Sequence, residues 1–345
     1  MSTPRDSLAE VGGDGHFIRK PSAFREFVSA DHPTFKPEAG RYHLYVSLAC
    51  PWANGTLVAR TLKGLEEIIS VSVVHPTWQR TRPDSAEDVH TGWVFRDPSD
   101  ENVVPVSGHG SIPCHGTIPD SINNARSVRD LYDLSNDTSG KYTVPVLWDK
   151  KTGVIVNNES TEILKMFNSA FNELLPVGSP QRELDLFPAD LVSKFDETND
   201  WIYNRINNGV YRCGFAKTQS AYSNSFFELF ESLDRVEEIL SSSRYILSNE
   251  RLHLLDLRLF MTLIRFDEVY VVYFKTNKRM LSSYPNIRNY MRELFQVPGI
   301  GSNINMDHIK FHYFTSHPTL NTYSIVPEGQ NVIDDMTLPH DRALK

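Results

Sequence analysis

Tyr42, Leu44 and Val46 alternate with Arg41, His43 and Tyr45, which predicts a strand. Behind it, Leu57, Val58, Thr61 and Leu62 fall at helical spacing after Cys50-Pro51-Trp52-Ala53. Pro51 suits a first helical turn, where its missing N–H costs nothing, and Gly64 suits the position just past a helix end. The β-branched run from Ile68 to Val74 predicts a second, buried strand. Residues 75 to about 118 carry prolines and glycines but no period. A loop of that length inside a domain is usually functional. Ile122, Ala125, Val128, Leu131 and Tyr132 predict a helix. Val144–Trp148 and Val154–Val156 predict two strands around a turn at Asp149–Gly153. Ile163, Leu164 and Phe167 start a further helix after Asn157–Ser160.

That order (strand, helix, strand, loop, helix, strand, strand, helix) is the order of a thioredoxin-like α/β domain. Pro176, Gly178, Pro180 and Pro188 mark a linker, and beyond it the pattern is helical throughout. Phe226, Leu229, Phe230, Leu233, Val236 and Leu240 keep a 3.6-residue period. Leu252–Ile264 is almost continuously apolar around Asp256, as in a central buried helix, and Pro285 opens another helix running to Phe295. The organisation expected is an extended arm over 1–40, packed through Phe24 and Phe27; a thioredoxin-like domain over 41–175; an all-helical domain over 185–315; and a polar, Pro-rich tail over 316–345. Gly12, Gly13 and Gly15 precede no strand–helix unit, so a phosphate loop is not expected there.

With 345 residues, 40% of them apolar, the chain can build two cores. Its formal charge of −8 argues against a nucleic-acid binder. No apolar run approaches the about 18 residues of a membrane span. Three cysteines, Cys50, Cys114 and Cys213, are too few for a disulfide framework and suggest a reducing compartment. The first residues lack a leader's apolar segment, so the cytosol is expected.

Cys50 carries the candidate chemistry. A thiol at a helix N-terminus faces unpaired amides and the positive end of the helix dipole, which favour the thiolate nucleophile. The position three residues on, where a two-cysteine redox site has its second thiol, is Ala53. A mixed disulfide at Cys50 then needs an external thiol, glutathione being the obvious one. Val144-Pro145 opens a strand where thioredoxin-like domains carry a cis proline, which would turn the Val144 backbone toward the thiol. Glu159-Ser160 opens the next helix. Its amides and the Ser160 hydroxyl suit a carboxylate, and Glu159 suits an α-ammonium, so the pair would hold a γ-glutamyl end.

These segments together resemble the S-glutathionyl-hydroquinone reductases, the xi class of glutathione transferases. The resemblance rests on Tyr45-Val-Ser-Leu-Ala-Cys-Pro-Trp-Ala53, Gly92-Trp-Val-Phe95, Tyr142-Thr-Val-Pro-Val-Leu-Trp-Asp149, Asn158-Glu-Ser160, Ile206-Asn-Asn-Gly-Val-Tyr211, Arg265-Phe-Asp-Glu-Val-Tyr270 and His308-Ile-Lys-Phe-His-Tyr313. It implies a glutathione transferase fold assembled as a homodimer, with Cys50 as nucleophile. It further implies Trp93, Lys141, Val144, Pro145, Glu159 and Ser160 around glutathione, and Tyr211, Tyr270 and Tyr313 around an aromatic substrate, with Tyr211 aiding protonation. Nine of the 14 tyrosines lie between Tyr203 and Tyr313, and a phenol's flat body and polar tip suit a quinol. The same thiol chemistry also serves omega-like thioltransferases and dehydroascorbate reductases, and the fold is reused in non-catalytic binding proteins.

Four positions depart from the family pattern. Asn54-Gly55 stands where His-Arg is usual, removing charge near the thiol. Lys141 replaces an arginine and loses its bidentate fork. His253 stands at a helix cap that is usually Thr, so capping should weaken. The loop over 98–117 carries His109, Cys114 and His115 but no fourth ligand at zinc spacing, so no metal is expected.

Overall fold

The strand Tyr42–Val46 (β1) lies inside a four-stranded sheet in the computed structural model, which describes residues 10–329 and 331–344. The first nine residues of the expected arm lie outside the described residues. The sheet order is β2-β1-β5-β6, where β2 is Ser70–Val73, β5 is Val146–Asp149 and β6 is Val154–Asn157. β1 runs parallel to β2, with Leu44 opposite Val71, and antiparallel to β5, with Leu44 opposite Leu147. Between β1 and β2 runs the helix α1, Pro51–Leu62, with Pro51 in its first turn and Gly64 at φ +62° beyond its end. Gly153 at φ +68° closes the β5–β6 turn.

The alternation along β1 does not mark a solvated face. All five of its residues are buried, and its polar members are satisfied internally. The two His43 ring nitrogens lie 2.7 and 3.0 Å from the hydroxyls of Ser70 and Ser72. The Tyr45 hydroxyl donates to Asp120 at 2.8 Å. At the strand's start Arg41 makes a bidentate pair with the fully buried Asp149, at 2.8 and 2.7 Å. Burial pushes that carboxyl up, but hydrogen bonds from Arg41, Thr152 and the Lys151 amide outweigh it and hold it below the usual range.

The long connection after β2 contains one short antiparallel pair, β3 (Gln79–Arg80) with β4 (Thr91–Gly92). The helix predicted from Ile122 starts only at Val128 (α2, Val128–Leu134). The preceding turn is held by Asp120, whose carboxylate accepts from the amides of Ile122, Asn123 and Ala125, and those bonds compete with helix formation. Arg82 reaches across to Asp130 and Asp133, fastening the loop to α2.

By contact the chain divides into two units. The first comprises Pro21–Leu184 and Asn303–Pro327, and the second comprises residues 10–20, Asp185–Ser302, 328–329 and 331–344. The first holds the sheet, α1, α2, α3 (Ser160–Ser169), a short α4 (Pro180–Glu183) and the later helix Met306–Thr315. The second is helical: α5 (Val192–Ile202), α6 (Gly209–Gly214), α7 (Gln219–Ser242), α8 (Leu254–Leu263), α9 (Val271–Tyr273), α10 (Pro285–Gln296) and, after α11 (the Met306–Thr315 helix of the first unit), α12 (Val332–Met336). Every residue of α8 is buried, as its apolar run predicts. Its N-terminus is half capped. The Asp256 carboxylate accepts from the His253 amide at 3.0 Å, while neither nitrogen of the buried His253 ring makes a hydrogen bond. Of the two arm phenylalanines, Phe24 packs on Tyr132 at 5.7 Å, whereas Phe27 is exposed. The arm is anchored instead by Phe17 in the second unit and by Val28 and Phe35 in the first, all buried. No helix among the described residues is long and apolar enough to cross a membrane.

Candidate active site

Cys50 is the N-cap residue of α1, in extended conformation at φ −75°, ψ 118°. It occupies that position because β1 ends just before it and Pro51 can start a helix but not continue a strand. Its carbonyl accepts from the Asn54 amide at 2.8 Å, closing the first turn. Its sulfur lies 3.7 Å from the Val144 carbonyl oxygen. The Val144–Pro145 peptide bond is cis. Cys50 is partly exposed, while Cys114 and Cys213 are buried. Burial raises the Cys114 thiol and pushes Cys213 up to about 12, so both stay protonated at neutral pH.

Asn54, the first of the unusual pair after the motif, is buried. Its side-chain amide donates to the Asn303 carbonyl at 2.9 Å, and the Asn303 side chain donates to Thr61 at 3.3 Å. It ties α1 to the segment leading into α11, a connection that a charged side chain would not make in the same way. Gly55 is buried inside α1. Lys141 is half-buried, and its amide donates to the Ser139 hydroxyl at 3.3 Å.

Glu159 is the N-cap of α3, and Ser160 is its first residue. The Glu159 carboxylate accepts from the Thr161 amide at 3.3 Å and from the Ser22 hydroxyl at 3.0 Å. It is therefore oriented by its own helix and by the arm, with acceptor capacity left over, since a carboxylate offers about four lone-pair sites. Behind it lies a buried network invisible in the sequence. The Tyr132 hydroxyl donates to the Thr143 carbonyl at 2.9 Å and accepts from the Asn158 side chain at 2.8 Å. Burial pushes Tyr132 up to about 12, so it stays a neutral donor. Through it α2 joins the residue before Val144 to the residue before Glu159. Only a pairing over long sequence separations makes this network, and no local pattern signals it.

Trp93 is buried. Its ring stacks on His312 of α11 at 4.5 Å and 28°, with Trp78 edge-on at 5.7 Å. His312 Nδ1 lies 3.0 Å from the Pro76 carbonyl. Sequence reasoning passed over His312, although it sits next to Tyr313 in a stretch already singled out. Tyr313 is buried on the same helix.

In the helical unit Tyr211 and Tyr270 come together at 6.1 Å between ring centroids, and Tyr270 stacks on Phe274 at 5.4 Å. Tyr270 is wholly buried and Tyr211 is 8% exposed. Gly214 lets Phe274 approach, because a Cβ there would meet the ring at 2.0 Å. In the long loop, His109 rests on Tyr323 and the Cys114 sulfur lies 3.5 Å from the Glu101 carbonyl. Among the described residues no three His, Cys, Asp or Glu side chains gather to hold a metal ion.

Residues 49–170 match the glutathione S-transferase N-terminal domain, and 220–293 match the C-terminal domain. Glutathionyl-hydroquinone reductase YqjG of Escherichia coli is 44% identical over 340 residues, covering 96% of this chain and 93% of that protein. The crystal structure of glutathione-S-transferase Xi from Phanerochaete chrysosporium superposes with a TM-score of 0.83 at 46% identity, covering 96% of this chain and 97% of the other. The glutathione-bound structure of YqjG gives a TM-score of 0.80 at 44% identity, covering 93% and 96%.

Proposed function

The chain belongs to the glutathione transferases, in the xi class with the glutathionyl-hydroquinone reductases, and on that premise we propose that it reduces glutathionyl-hydroquinones through a Cys50–glutathione mixed disulfide. One observation carries the mechanism: Cys50 caps α1 beside the Val144 carbonyl, with Ala53 where a resolving thiol would stand. The Cys50 thiolate attacks the glutathionyl sulfur. The carbon–sulfur bond breaks, its electron pair stays with the aromatic carbon, and a proton completes the hydroquinone. A second glutathione attacks the mixed disulfide, frees Cys50 and leaves as oxidised glutathione. The thioether sulfur of the substrate and the thiol of the second glutathione end as the disulfide of oxidised glutathione, while the aromatic carbon is reduced by two electrons, in two half-reactions, so the kinetics are ping-pong.

Glutathione binds the thioredoxin-like domain over 41–175. The Val144 backbone beside Pro145 pairs with its cysteinyl unit. Glu159 and Ser160 hold its γ-glutamyl end, and Trp93 and Lys141 hold the rest. Tyr211 and Tyr270, in the helical domain over 185–315, and Tyr313 take the aromatic ring, with Tyr211 supplying the proton. None of the three cysteines is in a disulfide, which supports a cytosolic protein; it works as a homodimer.

Turnover of glutathionyl-menadione with glutathione, followed by product analysis, tests this. The expected result is menadiol plus oxidised glutathione, with parallel double-reciprocal lines, and loss of about 10³-fold or more in Cys50→Ser. Turnover that survives in Cys50→Ser, or that favours dehydroascorbate, would contradict it.

A further inference from the structure

The glycine-rich stretch near the N-terminus, which has no place in a phosphate loop, forms a tight hairpin in the helical unit. Val11 bridges to Phe17, and the Gly12 amide donates to the His16 carbonyl at 2.8 Å. The hairpin docks on the start of α7. The Lys217 amide donates to the Gly15 carbonyl at 3.1 Å, and the Thr218 hydroxyl donates to the Asp14 carbonyl at 3.3 Å. Gly15 is required on two counts. Its φ is +84°, and a Cβ would meet the Thr218 methyl at 2.8 Å.

This docking sets down the next two anchors on Tyr211. Phe17 packs edge-on to Phe215 at 5.5 Å and lies 6.5 Å from the Tyr211 ring. The Arg19 guanidinium carbon sits 5.3 Å from the Tyr211 ring centroid, and Arg19 Nε donates to the Asn208 side chain at 2.8 Å. Asn208 directly precedes the helix that carries Tyr211. The hydrogen bond from Arg19 to Asn208 thus sets the cation and the phenol on one frame.

We propose that Arg19 is a positioning residue for the reductase reaction, its guanidinium locked by Asn208 against Tyr211 so that the phenol is fixed in place and its oxygen is stabilised as it releases a proton. The inference rests on Tyr211 being the proton donor. When the carbon–sulfur bond breaks, the electron pair on the aromatic carbon takes the Tyr211 proton, and the phenol oxygen gains negative charge until water reprotonates it. Attraction between a cation and a ring grows as the ring takes on that charge. Only the half-reaction that protonates carbon uses this charge. Exchange of glutathione at Cys50 does not.

Two assays separate the half-reactions: single-turnover release of menadiol from glutathionyl-menadione, and glutathione-dependent reduction of hydroxyethyl disulfide, which protonates no carbon. Arg19→Leu should slow menadiol release about tenfold or more and leave disulfide reduction within about twofold. Arg19→Lys, which keeps the charge, should recover most of the loss. Gly15→Val, which unseats the hairpin, should reproduce the Arg19→Leu pattern. The proposal is overturned if Arg19→Leu leaves menadiol release unchanged, if it slows both assays alike, or if Arg19→Lys is as slow as Arg19→Leu. Should Tyr211→Phe release menadiol at the wild-type rate, the role given to Tyr211 fails instead.

Discussion

A buried histidine shows how single side chains set the protein's response to acid. The Ser72 hydroxyl donates to the Pro119 carbonyl at 2.9 Å, so it accepts from His43 Nε2–H, and Nδ1 accepts from Ser70. The neutral ring satisfies both contacts, and a charged one would lose the Ser70 donor. Burial pushes His43 down to about 4, and His75, enclosed by the long loop, likewise to about 4. In the unfolded chain both titrate near the ordinary 6.5. The unfolded state therefore takes up protons first, and stability present above pH 6.5 is lost as pH falls toward 4. Each histidine contributes on the order of 3 kcal/mol to that loss. Thermal melts of the wild type should fall steeply over this window, and His43→Gln should make the fall measurably shallower. An unchanged slope in the variant would contradict the assignment.

Elements were easier to read than their ends. α1 and α7 follow helical apolar spacing, α8 a nearly continuous apolar run and α10 an opening proline, all of them local signals. α2 begins six residues later than its spacing suggests, because Asp120 collects the amides that a helix would have used. The site was legible in part for the same reason. Cys50-Pro51 at a strand-to-helix junction and Glu159-Ser160 at the next helix start are local signals. The Tyr132–Thr143–Asn158 network, the Trp93–His312 stack and the arm hairpin on α7 join residues far apart in sequence, and nothing near any one of them announces the partner. The network makes a prediction about elements. Tyr132→Phe removes the hydroxyl that couples α2 to the segment before Val144 and to the start of α3. It should cost about 1–3 kcal/mol, since Thr143 and Asn158 are left with buried unmet groups, and it should raise KM for glutathione more than it lowers kcat. A variant with normal KM in spite of lost stability would show that the network holds the fold but not the glutathione site.

For the whole molecule, the strongest sequence evidence was the joint pattern, since no one motif matched alone. A thioredoxin-like order followed by helices describes many proteins, and Cys-Pro at a helix start describes several activities. Added together over most of the chain, the motifs narrowed the choice to one family, which the similarity across 96% of the chain bears out. The unusual Asn54 does not disturb that frame, because it is absorbed as a buried tie from α1 to the segment before α11. Sequence could not show how 10–20 and 21–40 part company, since Phe17 and Phe24 look alike until their partners, Phe215 and Tyr132, are brought to them.

The central claim is that one sulfur takes glutathione from the substrate and gives it up again, and intact-mass analysis reads this directly. After incubation with glutathionyl-menadione alone, the protein should carry one glutathione, mapped by peptide analysis to Cys50, and excess glutathione should remove it. An unmodified protein, or an adduct on Cys114 or Cys213 with Cys50 bare, would contradict the account.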